Sequence, residues 1–138
     1  MVDMTAEIRQ QYAEMARWLG TPGPSHVLDS LYAALHPDFV LIDAIGRRRT
    51  RDQLREAMVD AAHSRPNLTM EVTAPERIAD ADGLLVGRFH AHRCVEGFGS
   101  ERVVTAVFVK DHRARHGLRW LTAHATTVAG DAPRPPEL

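Results

Sequence analysis

The chain has 138 residues, which is the size of one domain, and its apolar fraction of 44% is typical of a globular protein. It carries 17 basic and 18 acidic residues, so it lacks the positive field that attracts nucleic acid or an acidic membrane. A single cysteine, Cys94, excludes an internal disulfide, and no apolar run has the length of a signal peptide core or a membrane span. These features predict a cytoplasmic protein with neither nucleic acid nor membrane as a partner.

The first third of the chain has the apolar spacing of amphipathic helices. A helix is predicted over residues 5–19, and the Pro- and Gly-rich segment 20–24 ends it. Ser25 is a candidate N-cap for a second helix over residues 27–35, which Pro37 stops. Both helices have one apolar face, so both are expected to pack on a sheet.

The centre of the chain predicts a strand, a turn and a third helix. Residues 39–45 are largely β-branched or aromatic on both faces, which indicates a strand that is covered on both sides. Gly46 makes the turn that follows. Thr50 and Gln53 have the spacing of a capping box, so a helix is predicted to begin at Thr50 and to run to about His63.

The second half of the chain is predicted to be strand. Strands are expected from about residue 68 to a bulge or edge near Pro75, and then over 84–93, 102–110 and 118–128, joined by a hairpin turn at 81–83 and by connections at 96–100 and 111–117. The domain is taken as residues 1–130, followed by a Pro-rich tail at 131–138. Helices first and an antiparallel meander after predict an α+β fold with one curved antiparallel sheet wrapped around three helices.

The strand register places a row of polar residues on one face of this sheet. If the first connection is centred near Phe98, His90 lies opposite Thr105, and if the second is centred near Ala114, Thr105 lies opposite His124. A polar face with a few apolar residues is typical of a small-molecule site. Its predicted substrate-binding members are Arg88, His92, Thr105, Trp120, Thr122 and Thr126, beside His90 and His124.

Three of the chain's titratable residues are candidates for acid/base chemistry. Asp43 lies in an apolar strand and could act as a general base, or it could cap the turn before Gly46 or pair with one of the following arginines. His90 and His124 could form an acid/base pair or orient a carbonyl, because imidazole titrates near neutral pH; they could also simply hydrogen-bond within the cavity.

A zinc site is an alternative interpretation of the histidines. His90 and His92 follow the His-x-His spacing on one strand face, and His124 could be a third ligand. His90 and His124 are expected to lie two strands apart, about 9.6 Å between backbones, and this separation disfavours a shared zinc ion. The prediction is therefore no metal and no cofactor.

The order of these elements also resembles a known superfamily. Two helices, then HPDFVLID-x-x-G, a helix opening on TRDQL and strands ending in GLRWLTAHAT resemble the nuclear transport factor 2-like superfamily, and its SnoaL-like branch in particular, over about residues 6–128. The resemblance implies a cone-shaped, cystatin-like α+β barrel with an open-ended apolar cavity, and commonly a homodimer formed through the sheet. Members include ketosteroid isomerase, scytalone dehydratase, polyketide cyclases, limonene epoxide hydrolase and non-catalytic binding modules.

The resemblance also assigns roles to particular residues. The general base of ketosteroid isomerase lies in an Asp-x-x-Gly step, which Asp43 matches, and the oxyanion-hole tyrosine lies on the first helix, where Tyr12 is a rough match. The partnering acid falls near Phe108 or Val109, neither of which can donate a hydrogen bond. The same comparison places Thr122, His124 and Thr126 on the cavity side.

Two functions follow as hypotheses. The first is a cofactor-independent lyase, isomerase or cyclase acting on a small apolar carbonyl or hydroxyl substrate of polyketide or steroid type. There Asp43 abstracts a proton while His124, with His90 or Tyr12, polarises the substrate. The second is a non-catalytic ligand-binding or dimerisation module. The incomplete oxyanion hole favours the second function or an unfamiliar reaction.

Overall fold

The structure is a computed structural model that describes residues 2–128, so the predicted tail at 131–138 lies outside the described residues. Within that range it has three helices and six strands. The helices are α1 (Met4–Gly20), α2 (His26–Ala33) and α3 (Arg51–Asp60), and the strands are β1 (Leu35–Ile42), β2 (Arg48–Thr50), β3 (Thr69–Ala81), β4 (Leu84–Val95), β5 (Phe98–Lys110) and β6 (Leu118–Thr127). No helix over these residues is long and apolar enough to cross a membrane.

Two of the helices begin at side-chain caps. The Asp3 carboxylate accepts a hydrogen bond from the Ala6 amide at 3.0 Å, which starts α1. At α3 the predicted capping box is confirmed: the Thr50 hydroxyl accepts from the Gln53 amide at 3.3 Å, and the Gln53 side chain accepts from the Thr50 amide at 2.9 Å. Ser25 precedes α2 as predicted but makes no capping hydrogen bond with its side chain.

The strands form one sheet in the order β2-β1-β6-β5-β4-β3, and the helices cover one face of it. This confirms the predicted α+β fold with a curved sheet around the helices. The pairing of β1 with β6 is parallel, whereas every other pairing of the described sheet is antiparallel. We call the helix-covered face the inner face, where Phe89, Phe108 and Leu85 are fully buried against Ile8 of α1.

The turn between β4 and β5 corrects the predicted register. It consists of Glu96 and Gly97 alone, both with positive φ (50° and 83°), which is the backbone of a tight hairpin turn. His90 therefore lies opposite Val103, and not opposite Thr105 as predicted; Thr105 lies opposite Arg88. Because the shift is two residues, each side chain keeps its predicted face.

A bulge in β6 corrects the prediction for Trp120. Val107 pairs with Thr122 but Phe108 pairs with Trp120, so Leu121 is an extra residue in the ladder. The insertion reverses the alternation, and Trp120, predicted to share a face with Thr122, packs instead on the inner face against Phe108, with ring centroids 4.7 Å apart.

Candidate functional site

A cavity of about 120 Å³ lies between the three helices and the inner face of the sheet. Its walls are mostly aliphatic, with methionines, alanines and Trp120 among them. Polar groups are few, and they are Gln11, Tyr12, Tyr32, Asp43, Arg55, Arg93 and Arg102. An apolar chamber with a small number of polar groups is the usual construction of a small-molecule site.

Asp43 lines this cavity at the end of β1 and is 6% exposed. Its Oδ1 accepts hydrogen bonds from the amides of Ile45 (3.2 Å) and Arg47 (2.8 Å), and its Oδ2 accepts from Nε of Arg47 at 3.2 Å. Gly46, with φ of 81°, completes this turn by donating its amide to the Asp43 carbonyl. The carboxylate therefore has the turn-capping contacts and the arginine pair that were the alternative to a general base.

Tyr12 lies on α1 and also faces the cavity. Its ring contacts Phe89 edge to face, with centroids 5.4 Å apart. Burial raises the pKa of the Tyr12 hydroxyl to about 12, against a smaller opposing effect of the nearby Arg93 and Arg102 charges. The hydroxyl is therefore protonated at neutral pH and can donate a hydrogen bond to a bound molecule.

Arg93 and Arg102 bring two positive charges to the inner face. Arg93 of β4 pairs with Ser100, and Arg102 of β5 pairs with Ala91, so the two arginines are diagonal neighbours on one face. Burial, together with the charges of the adjacent Arg102 and Arg65, lowers the pKa of Arg93 to about 10. Burial also lowers the pKa of Arg102, although Tyr12 and Asp43 oppose that shift.

The predicted polar row lies on the other face of the sheet, which we call the outer face. His90, His92, His124 and Thr105 alternate with residues of the buried inner face, such as Ala91 and Ala123. The prediction that this row lines the cavity is therefore wrong. The physical reason is that an antiparallel sheet buries its apolar face and turns its polar face outward.

Contacts on the outer face account for several residues of this row. His90 Nδ1 is hydrogen-bonded to the Glu101 carboxylate, and His92 Nε2 lies 3.1 Å from the Thr73 hydroxyl. Arg88 lies 3.6 Å from the Glu76 carboxylate. The Thr122 hydroxyl donates to the Val40 carbonyl at 2.8 Å, and His124 and Thr126 are exposed.

Three of the predicted site residues do come together at the cavity. Asp43, Tyr12 and Trp120 all contribute to its lining. Among residues 2–128, no group of three His, Cys, Asp or Glu side chains is arranged to hold a metal ion.

The sequence prediction missed Arg93 and Arg102. The alternation of residues along the strands could have identified both as inward-facing. Arg93 continues the alternation of Phe89 and Ala91, and Arg102 is in phase with Val104. Arginines at the ends of strands are usually solvated, so the sequence alone gave no reason to extend the apolar face to them.

The fold matches solved structures of nuclear transport factor 2-like proteins. An NTF2-like protein of unknown function from Pseudomonas aeruginosa aligns with a TM-score of 0.84 at 22% identity, over 91% of this chain and 98% of that one. A protein provisionally named a dehydratase of the NTF2-like family, from Streptomyces avermitilis, has a TM-score of 0.72 at 11% identity, over 91% and 94%. An uncharacterised protein with a cystatin-like fold from Caulobacter vibrioides has 0.66 at 18% identity, over 94% and 89%.

This fold is nuclear transport factor 2-like. No family model and no curated protein matches the sequence. The SnoaL-like branch therefore stays a prediction, and the function has to be argued from the site, since one scaffold hosts many functions.

Proposed function

We propose that this protein binds a small, predominantly apolar molecule in the cavity between its helices and its sheet. The observation that carries the proposal is the cavity itself, which has aliphatic walls and a few converging polar groups. A cavity of about 120 Å³ is close to the roughly 150 Å³ that holds a benzene-sized molecule. The ligand is therefore expected to have a body of about six carbons, or more where it extends through an opening.

Filling the cavity tests this proposal. Ala123 and Ala125 both line it, so Ala123→Leu and Ala125→Leu place extra methyl groups where a ligand would lie. We expect hexan-1-ol to shift the amide NMR signals of cavity residues saturably in the wild type, and to bind at least roughly tenfold more weakly to either variant. Ala79→Leu, at an exposed position of β3, is the matched control and should bind as the wild type does.

The two filling variants differ in their risk to folding, because Ala123 is 5% exposed and Ala125 is only partly buried. Circular dichroism establishes that each variant is folded. Unchanged binding in a folded filling variant, or non-saturable shifts in the wild type, would place hexan-1-ol outside the cavity and end the proposal.

Acid/base catalysis in the same cavity is a second candidate. It is favoured by one observation, that Asp43 and the protonated Tyr12 hydroxyl line the same chamber. Asp43 would remove a proton from the carbon beside a carbonyl, and Tyr12 would donate a hydrogen bond to the developing enolate oxygen. The candidate remains second because both Asp43 oxygens already accept hydrogen bonds within its own turn.

Proton–deuterium exchange separates catalysis from binding. Cyclohexanone in D₂O exchanges its α-hydrogens when a base removes a proton and solvent returns a deuteron, and NMR follows the loss of signal. If the second candidate holds, the wild type accelerates exchange, Asp43→Asn abolishes the acceleration, and Tyr12→Phe reduces it by roughly a hundredfold or more. Exchange at the buffer rate would exclude catalysis and leave ligand binding as the proposed function. Retained hexan-1-ol binding by the variants would show that they keep their cavity.

A further inference from the structure

We infer that Gln11 is the polar anchor of the ligand, and that the ligand is a neutral molecule whose oxygen accepts a hydrogen bond from the Gln11 side-chain amide. The inference rests on the proposed binding function and names the ligand class, a small apolar ketone, ester or alcohol. It is carried by the position of one buried amide donor, which lines the cavity and has no acceptor among residues 2–128.

Gln11 occupies the face of α1 that points into the molecule. It follows Glu7 by four residues, so the two side chains lie one turn apart on the same face of the helix. Glu7 accepts a hydrogen bond from the Trp120 indole at 2.9 Å, and Gln11 and Trp120 both line the cavity. Gln11 itself is only 6% exposed. Its amide is therefore held at the cavity wall and away from bulk solvent.

Two hydrogen bonds fix the orientation of the Gln11 amide. Its Oε1 accepts from Nη2 of Arg115 at 2.8 Å, and its Nε2 donates to the Leu31 carbonyl at 3.2 Å. A guanidinium can only donate and a carbonyl can only accept, so the oxygen and the nitrogen of the amide cannot be exchanged. Nε2 carries two hydrogens, and the Leu31 carbonyl takes one of them. The other has no hydrogen-bond acceptor within the described part of the chain.

This second N–H of Gln11 is the open contact that a ligand can satisfy. A buried donor without a partner costs free energy, and a ligand oxygen that accepts from it removes that cost. The charge of Arg115 acts on Oε1 of the same amide and polarises the N–H, which strengthens it as a donor. Because the side chain is already held in place, binding loses little side-chain entropy. A directional hydrogen bond of this kind orients an otherwise apolar ligand.

The charges around Gln11 favour a neutral ligand group over an anionic one. Arg115 donates to both Glu7 and Glu14, so one positive charge faces two negative charges. A ligand carboxylate would add a third negative charge close to the buried Glu7. The open contact on Gln11 is a donor, so a ligand ammonium would gain nothing from it. A carbonyl, ester or hydroxyl oxygen satisfies both conditions.

Two ligands of the same shape test the inference. Cyclohexanone has an oxygen where methylenecyclohexane has a CH₂ group, so only cyclohexanone can accept a hydrogen bond. In NMR titrations of the full chain, one proton of the Gln11 side-chain amide is expected to shift downfield saturably with cyclohexanone and not with methylenecyclohexane, because a new hydrogen bond deshields that proton. Gln11→Met should reduce the affinity for cyclohexanone by roughly tenfold and leave that for methylenecyclohexane within about twofold.

Gln10→Met is the matched control for this substitution. Gln10 precedes Gln11 on the same helix, makes its side-chain hydrogen bonds with Glu14 and His116, and does not line the cavity. Both ligands should bind this variant as they bind the wild type. The chemical-shift measurement needs no substitution, so it decides the inference even if Gln11→Met does not fold.

The outcomes distinguish this inference from the proposed function. A loss of cyclohexanone affinity in Tyr12→Phe and none in Gln11→Met would place the ligand oxygen at the Tyr12 hydroxyl and overturn the inference, while binding in the cavity stands. An equal loss for both ligands in Gln11→Met would also overturn it, since the side chain would then act through its shape alone. So would the absence of a downfield shift of the Gln11 amide in the wild type. If neither ligand binds, the binding function itself is removed.

Discussion

Glu7 is fully buried, at 0% exposure, and yet it is the centre of an ionic network that contacts the cavity lining through Trp120 and Gln11. Its two carboxylate oxygens accept hydrogen bonds from Nε (2.9 Å) and Nη2 (2.8 Å) of Arg115, and one of them also accepts from the Trp120 indole at 2.9 Å. Arg115 donates further to Glu14 and to Gln11, which lines the cavity. The Glu7–Arg115 pair thus fixes the Trp120 ring, which forms part of the cavity wall.

The state of Arg115 reflects these contacts. Burial alone lowers the pKa of its guanidinium, but the hydrogen bonds and charges of Glu7 and Glu14 outweigh burial, so the pKa is raised. Glu7 of α1 and Arg115 of the β5–β6 loop are 108 residues apart in sequence. Their pairing was not predicted, because a helical Glu and a loop Arg give no local signal of contact.

Glu7→Gln should therefore destabilise the fold. Losing one partner of a buried ion pair costs about 3–5 kcal/mol, and we expect the lower end, about 3 kcal/mol, because Arg115 keeps Glu14. Urea unfolding followed by circular dichroism measures the change in the free energy of unfolding. The exposed Glu56 of α3 supplies the control, since Glu56→Gln should change that free energy by less than about 0.5 kcal/mol. A loss below about 1 kcal/mol for Glu7→Gln would show that the network contributes little.

Among the helices and strands, features that depend on neighbouring residues were predicted correctly, whereas the pairing of residues between strands was not. The capping box at Thr50 was found from four residues because its hydrogen bonds lie within one turn of helix. The β4–β5 turn was misplaced because the sequence 97–99 offers two glycines, and either could supply the positive φ that a hairpin needs. The turn uses Gly97, which moved the register by two residues without exchanging the faces.

The division of the β4 and β5 residues between two faces was thus predicted correctly, but the cavity was assigned to the wrong face. The row containing His90 and His124 was interpreted as the cavity lining because it is polar. The helices instead cover the apolar row, and the polar lining residues that β4 and β5 contribute are the two arginines at its end. The inserted Leu121 explains the remaining error, since a bulge has no signature in an apolar strand and yet determines which face Trp120 occupies.

At the scale of the whole molecule, the β5–β6 loop fastens the first helix to the far end of the sheet. The Asp3 amide donates to the His116 carbonyl at 3.0 Å, and the His116 ring lies 2.6 Å from the Gln10 side chain. With the Glu7–Arg115 pair, these contacts join α1 to the β5–β6 loop. The homodimer implied by the family resemblance would use the sheet and not this loop, and it stays a prediction that light scattering can check.

Asp111 holds the start of this loop, and its protonation should weaken the whole domain in acid. Its carboxylate accepts from Nε of Arg119 (2.7 Å) and from the Arg113 amide (2.9 Å), and these hydrogen bonds lower its pKa below the ordinary 3.8. The unfolded chain therefore binds this proton more readily than the folded one as the pH falls. The stabilisation is complete above about pH 5 and is lost as the pH drops through 3.8 toward the folded-state value.

Asp111→Asn isolates this contribution, because asparagine keeps one acceptor oxygen, for either the Arg113 amide or Arg119, and cannot be titrated. Relative to the wild type, the variant should be less stable at pH 7 and should lose less stability between about pH 5 and pH 2, measured by urea unfolding across that range. Asp82→Asn is the matched control, since Asp82 is exposed in the β3–β4 turn and asparagine suits the same turn. Parallel stability profiles for wild type and Asp111→Asn would mean that the Asp111–Arg119 contact does not couple the loop to folding. In that case the network around Glu7, and not the start of the loop, would be what fastens α1 to the sheet.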